Sequence, residues 1–149
     1  MPTHYRGTLQ ERTALDLYIK LSRVAETVSA NVNRHLHDHK LTVSQFGVLE
    51  ALYHLGPLSP GQLCDKILRS TGNMTLVIDN LEKRALVKRM PNLDDRRSVL
   101  VELTAEGTDL IEAILPTHIA TVIEEMSILS HDEQLQLASL ARKLGLRVK

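Results

Sequence analysis

Residues 70–84 read Ser70-Thr71-Gly72-Asn73-Met74-Thr75-Leu76-Val77-Ile78-Asp79-Asn80-Leu81-Glu82-Lys83-Arg84. Ser70 can cap a helix here, because a serine hydroxyl accepts from a free amide of the first turn. Behind it, Met74, Val77, Ile78 and Leu81 recur at helical spacing and form one apolar stripe. The other side carries Gly72, Thr75, Leu76, Asp79 and Lys83, with Asn73 and Asn80 on its flank. One face is built for a core. The other is short, mostly uncharged and able to hydrogen-bond near its N-terminus. A major groove admits one α-helix, and a reading helix turns its N-terminal residues to the base edges. An ordinary amphipathic surface helix has the same pattern, so the neighbours of this stretch decide its reading.

Upstream, Thr42-Val43-Ser44-Gln45 fits a capping box and opens a helix with Phe46, Leu49, Leu52 and Tyr53 as its core face. Gly56-Pro57 stops it. Ser59-Pro60-Gly61-Gln62 is a second start, with proline at the first helical position. This helix is short, running to about Leu68, with Leu63, Ile67 and Leu68 inward. Two short helices joined by a tight turn, the second with a hydrogen-bonding outer face, make a helix-turn-helix. Downstream the period changes. Leu86 to Met90 reads as a strand, Pro91 to Arg96 as a polar turn, and Ser98 to Leu103 alternates with Val99, Val101 and Leu103 on one side. That is a β-hairpin with a charged tip.

Further out, the pattern from Thr13 to about Asp38 is one long helix, preceded by polar residues expected to fray. Leu17 and Leu21 make its first half apolar on more than one side, which calls for a partner chain. Thr104 caps a helix that runs to about Leu129, with Pro116 expected to bend it. Ser130-His131-Asp132-Glu133 is a third capping box. It opens a last helix with Leu135, Leu137, Ala138, Leu140, Ala141 and Leu144 inward, ended by Gly145.

The bulk numbers narrow the function. The chain has 149 residues, enough for a core, and its 43% hydrophobic and 24% charged content is that of a folded soluble protein. Aromatics are 3% with no Trp, which argues against single-strand or RNA binding by base stacking. One cysteine, Cys64, excludes an intrachain disulfide framework and suits a reducing compartment. Nothing after Met1-Pro2-Thr3-His4 resembles a signal peptide, and no apolar run is long enough to cross a membrane. A cytoplasmic protein with no membrane partner is expected.

Net charge is zero, so any affinity for nucleic acid must be local. From Lys66 to Arg97 eight basic side chains stand against four acidic ones, and the remainder of the chain carries the opposite excess of four. A basic excess around a helix-turn-helix and hairpin is the footprint expected on DNA phosphates. Arg96 and Arg97 at the hairpin tip suit a minor groove, whose negative potential attracts arginine. Asp95 is placed to orient a guanidinium by a bidentate pair.

Three spaced segments carry a resemblance. They are Leu81-Glu82-Lys83-Arg84-Ala85-Leu86-Val87, then Asp95-Arg96-Arg97, then Val101-Glu102-Leu103-Thr104-Ala105-Glu106-Gly107. Together they resemble the MarR family of bacterial winged-helix regulators over nearly the whole chain. The resemblance implies a mainly α (α+β) fold in a single domain, 1–149. Within it, a winged helix-turn-helix DNA-binding lobe would span 40–103, and helices in 8–39 and 104–149 would form a dimerisation region. It implies a homodimer on a pseudo-palindromic double-stranded operator and repression relieved by a small, usually phenolic, effector. No cofactor, metal or catalytic residue is implied. The expected DNA-binding residues are Ser70, Thr71, Gly72, Asn73, Thr75, Leu76, Lys83, Arg89, Asp95, Arg96 and Arg97. Family members often carry Arg where this chain has Leu76 and Asn80, and Gly where it has Ala85. Residues 72–79 and 115–118 look more like the branch that responds to quinones and catechols.

Other function classes bear on the remaining residues. His35 and His39 are four apart, on one face of a regular helix, where a metal can bind; a solvated helix end explains them as well. Cys64 reads as a partly buried structural thiol or, alternatively, a redox switch. An enzyme would need a phosphate loop, a metal-ligand motif or a nucleophile elbow, and none is present. A helical interaction protein would explain the terminal helices but not the localised basic charge.

Overall fold

The computed structural model describes residues 2–67 and 73–146. Its elements, in order, are α1 (Leu9–Asn33), a 3₁₀ helix (Arg34–His39), α2 (Val43–Leu55), α3 (Pro60–Lys66), α4 (Met74–Lys83), β1 (Val87–Pro91), β2 (Val99–Leu103), α5 (Ala105–Met126) and α6 (His131–Gly145). The chain divides into two units, His35–Thr117 and the terminal unit of Met1–Arg34 with His118–Lys149.

The central unit holds the main core. Leu49, Leu63, Ile78, Leu81, Val101 and Ile111 are completely buried in it. Each helix start is local chemistry. Thr42 with Gln45 and Ser59 with Gln62 form reciprocal capping boxes, and Pro60 occupies the first helical position of α3. α2 packs against α3, α4 and β2, so it is buried on more than one side. That is why Val48 is buried beside Phe46, Leu49 and Leu52, although a single stripe does not include it. Tyr53, expected inward, is exposed, and its hydroxyl donates to Glu112 at 3.4 Å. β1 and β2 pair antiparallel with Arg89 opposite Val101, and Lys88 meets Glu102 across the ladder at 3.0 Å. Leu58 adds a one-residue bridge, exchanging backbone hydrogen bonds with Val101 at 3.1 and 2.8 Å.

The end of α4 is a Schellman motif. Ala85 N–H donates to Glu82 O at 2.9 Å and Leu86 N–H to Leu81 O at 3.0 Å, with Ala85 at φ 59°. The same pattern ends the 3₁₀ helix, with Lys40 at φ 54°, Lys40 N–H on His37 O and Leu41 N–H on Leu36 O. Arg84 ties the two ends together by donating to the carbonyls of Lys40 at 2.9 Å and His39 at 3.1 Å. Behind the hairpin, Thr104 accepts from Gly107 N–H at 3.0 Å and donates to Ala85 O at 2.6 Å. Gly107 is required there, because a Cβ would lie 2.0 Å from Leu86 O.

In the terminal unit, α1 starts earlier than the apolar stripe suggested. Thr8 and Glu11 form a capping box, so residues 9–12 are already helical, while 2–8 stay outside the helix. At the other end the α-helix gives way to the 3₁₀ turn at Arg34. Ser130 and Glu133 form the expected box at the start of α6, and the Ser130 amide holds the Glu133 carboxyl below its usual range. α5 is continuous through Pro116. α6 buries none of its residues in the single chain, and Leu135, Leu137, Leu140 and Leu144 stand exposed rather than inward. Asn31 donates to Glu125 at 3.1 Å, and Gln134 caps the carbonyls of Met126 and Leu129. Among the described residues no helix is long and apolar enough to cross a membrane.

Candidate nucleic-acid interface

α4 is one helix with two faces. Met74, Ile78 and Leu81 are buried, while Thr75, Leu76 and Lys83 are exposed on the other side. Its cap is not Ser70. Asn73 is extended and its side chain accepts from Leu76 N–H at 3.1 Å, so the helix begins at Met74. Both residue types cap well, and spacing alone does not choose between them. Ser70, Thr71 and Gly72 lie outside the described residues. Asn73 therefore spends its carbonyl oxygen on the backbone and keeps its amide NH₂ as the donor end.

Arg89, on β1, faces back onto α4. One guanidinium nitrogen is 2.6 Å from Asp79 Oδ1 and the other 2.7 Å from Glu82 Oε1. The Arg89 amide also donates to Glu82 at 3.2 Å. The hydrogen bond to Asp79 raises the guanidinium pKa further, so this charge is permanent. One arginine thus pairs with both acids of α4, offsetting one of their two charges, and locks the strand to the helix. The sequence signal was available: Asp79 and Glu82 are three apart, adjacent on one helix flank.

The hairpin tip is built by backbone turns. Asn92 Oδ1 accepts from Asp94 N–H at 3.0 Å, and Asn92 Nδ2 donates to Ser98 Oγ at 3.0 Å. The Asp95 carboxylate accepts from the backbone N–H of Arg97 at 3.0 Å, not from a guanidinium. This is an Asx turn that sets the path of the chain. Arg96 and Arg97 are exposed and form no ion pair among the described residues. The structure thus separates the expected residues into three groups: Thr75, Leu76 and Lys83 on the outer side of α4, Arg96 and Arg97 at the tip, and Arg89 engaged between strand and helix.

The metal reading loses ground in the same geometry. His35 to His39 form a 3₁₀ helix, in which residues three apart eclipse and residues four apart do not share a face. The His35 ring sits edge-on to Phe46 with centroids 6.5 Å apart. No group of three His, Cys, Asp or Glu side chains among the described residues is placed to hold a metal. Cys64 is exposed, against the expected partly buried structural thiol, so it has the access that a redox switch requires.

Known proteins share this arrangement. The MarR family model matches residues 41–99. The HTH-type transcriptional regulator MhqR of Bacillus subtilis is 37% identical over 136 residues, covering 91% of this chain and 94% of that protein. The structure of an Escherichia coli MarR mutant complexed with operator DNA superposes with a TM-score of 0.80 at 26% identity, over 93% of this chain and 99% of that one. BpsR of Bordetella bronchiseptica, whose DNA binding is regulated by 6-hydroxynicotinic acid, superposes with a TM-score of 0.79 at 26% identity, over 99% of this chain and 100% of BpsR. With the helix pair, the hairpin and these relatives in agreement, the chain belongs to the MarR family of winged helix-turn-helix regulators, and it is a DNA-binding transcriptional regulator rather than an enzyme.

Proposed function

We propose that the chain represses transcription by occupying a pseudo-palindromic operator as a homodimer, and releases it when a small phenolic or quinone-like molecule binds. The lobe at 40–103 meets DNA, and helices in 8–39 and 104–149 join two copies. Asn73, Thr75, Leu76 and Lys83 line the major-groove side, the family resemblance adds Ser70, Thr71 and Gly72 as DNA contacts, and Arg96 and Arg97 enter the minor groove on a turn shaped by Asp95. Arg89 serves the same surface from behind, by holding Asp79 and Glu82 and offsetting one of their two charges. Such a regulator works in the cytoplasm, where its operator is.

The observation that carries this reading is the pair of guanidinium groups at the wing tip, exposed and without a carboxylate partner among the described residues. They lie on the hairpin that is fixed to the outward-facing helix by Arg89. The exposed leucines of α6 support the dimer, because a second copy would remove them from water. Support for an aromatic effector comes from the regulation of BpsR by a hydroxylated aromatic acid and from the likeness of residues 72–79 to the quinone-responsive branch.

Selection from a random duplex library, followed by binding titrations at several salt concentrations, tests the reading. A dimeric helix-turn-helix protein should enrich two half-sites with centres roughly 10 bp apart. Affinity should fall steeply with salt through counterion release. Failure to enrich any duplex contradicts it. Adding simple phenols and quinones to the complex then tests release.

A further inference from the structure

Leu76 occupies a position that its chemistry does not suit unless DNA supplies an apolar partner. On a helix that buries Met74, Ile78 and Leu81, it lies on the opposite side, on a line with Lys83 two turns further on. It sits in the first turn, the part of a reading helix that reaches the base edges. Its side chain is 52% exposed. Of the polar groups around it, Asn73 Oδ1 is held by the Leu76 amide and Asp79 by Arg89 at 2.6 Å.

A leucine side chain can neither donate nor accept. Pressed against base edges that all donate or accept, it would displace their water without replacing the hydrogen bonds, and that costs free energy. The major groove offers one apolar feature on its ordinary bases, the 5-methyl group of thymine. We propose that Leu76 reads a thymine methyl in each half-site and thereby sets the base preference at that position. The proposal rests on the DNA-binding reading above and adds a specificity-determining residue to it. It also predicts that a 5-methylcytosine at the same place is accepted better than cytosine.

The test uses the full-length protein and a duplex obtained by selection. Each thymine is replaced in turn by deoxyuridine, which keeps base pairing and removes only the methyl. One position per half-site should lose roughly three- to fivefold in affinity, and both together about tenfold or more, as expected for one methyl taken out of a buried contact. In Leu76→Ala the thymine and deoxyuridine duplexes should bind equally. Because Leu76 lies outside the core, this variant should melt with the wild type. A general structural defect would weaken both duplexes and leave their ratio unchanged. Tight binding of the selected duplex with no thymine sensitive to deoxyuridine overturns the assignment. So does a thymine preference that survives in Leu76→Ala. If no duplex is selected at all, the DNA-binding reading falls and the assignment with it.

Discussion

The base and the tip of the wing use the same residue type in opposite ways. At the base, Arg89 spends its guanidinium on Asp79 and Glu82, Arg84 caps two carbonyls, and Thr104 bridges Gly107 and Ala85. At the tip, Asn92, Asp95 and Ser98 hold the turn, and Arg96 and Arg97 leave their charge exposed to solvent. A local excess of basic residues is therefore not a map of contacts. Part of it holds the reading helix, and only the unpaired part is available to phosphate. Changes at the base should move stability first, and changes at the tip should move DNA binding alone.

Four substitutions sharpen or break that division. Gly107→Ala should be the most damaging, at about 3 kcal/mol or more, because its Cβ would lie 2.0 Å from a backbone oxygen that is itself held by Thr104 N–H. Thermal unfolding reads this directly, and a variant that melts like the wild type would show that the base is looser than described. Arg97→Ala should leave melting alone and weaken DNA binding by about 1 kcal/mol or more, with a flatter salt dependence. Lost stability with unchanged binding would reverse the two roles.

Arg89→Ala is the informative intermediate. Its carboxylate partners are about two-fifths exposed, so the lost pair should cost only about 1 kcal/mol of stability. Binding should weaken too, since Asp79 would then face phosphate uncancelled. Adding Asp79→Asn and Glu82→Gln should restore most of the affinity. If the triple variant binds as poorly as Arg89→Ala, Arg89 is itself a phosphate contact. Ala85→Gly should have the smallest effect, a gain of about 0.5 kcal/mol, because Ala85 is exposed and held at φ 59°. Chemical denaturation checks it, and a loss of stability would mean that Ala85 makes a packing contact.

Legibility followed the range of the chemistry. Capping boxes act over three residues, and Thr42–Gln45, Ser59–Gln62 and Ser130–Glu133 were all readable. The Thr8–Glu11 box is hidden from apolar periodicity because the first turn of α1 is mostly polar. Asn73 rather than Ser70 caps α4 because two good caps compete and only packing chooses. The hairpin was legible from alternation, whereas the Leu58 bridge was not, since one residue has no period. Arg89 looked like a free cation because its partners meet it only after the chain reverses between α4 and β1. The apolar row of α6 was legible as apolar but not as uncovered, because periodicity says which side is greasy and not what lies against it. Ala85 shows the converse: the departure from the glycine common in the family falls at a left-handed residue of this structure.

The most direct measurement is a salt titration of binding to a selected duplex by wild type and by the Arg96→Ala, Arg97→Ala double variant. If the tip supplies phosphate contacts, the double variant should bind at least tenfold more weakly at moderate salt. Its slope of log affinity against log salt should be shallower by about two to four, for two contacts on each of one or two chains. Its melting curve should match the wild type. Equal affinity and equal slope in a variant that melts normally would contradict the assignment of the wing tip to DNA.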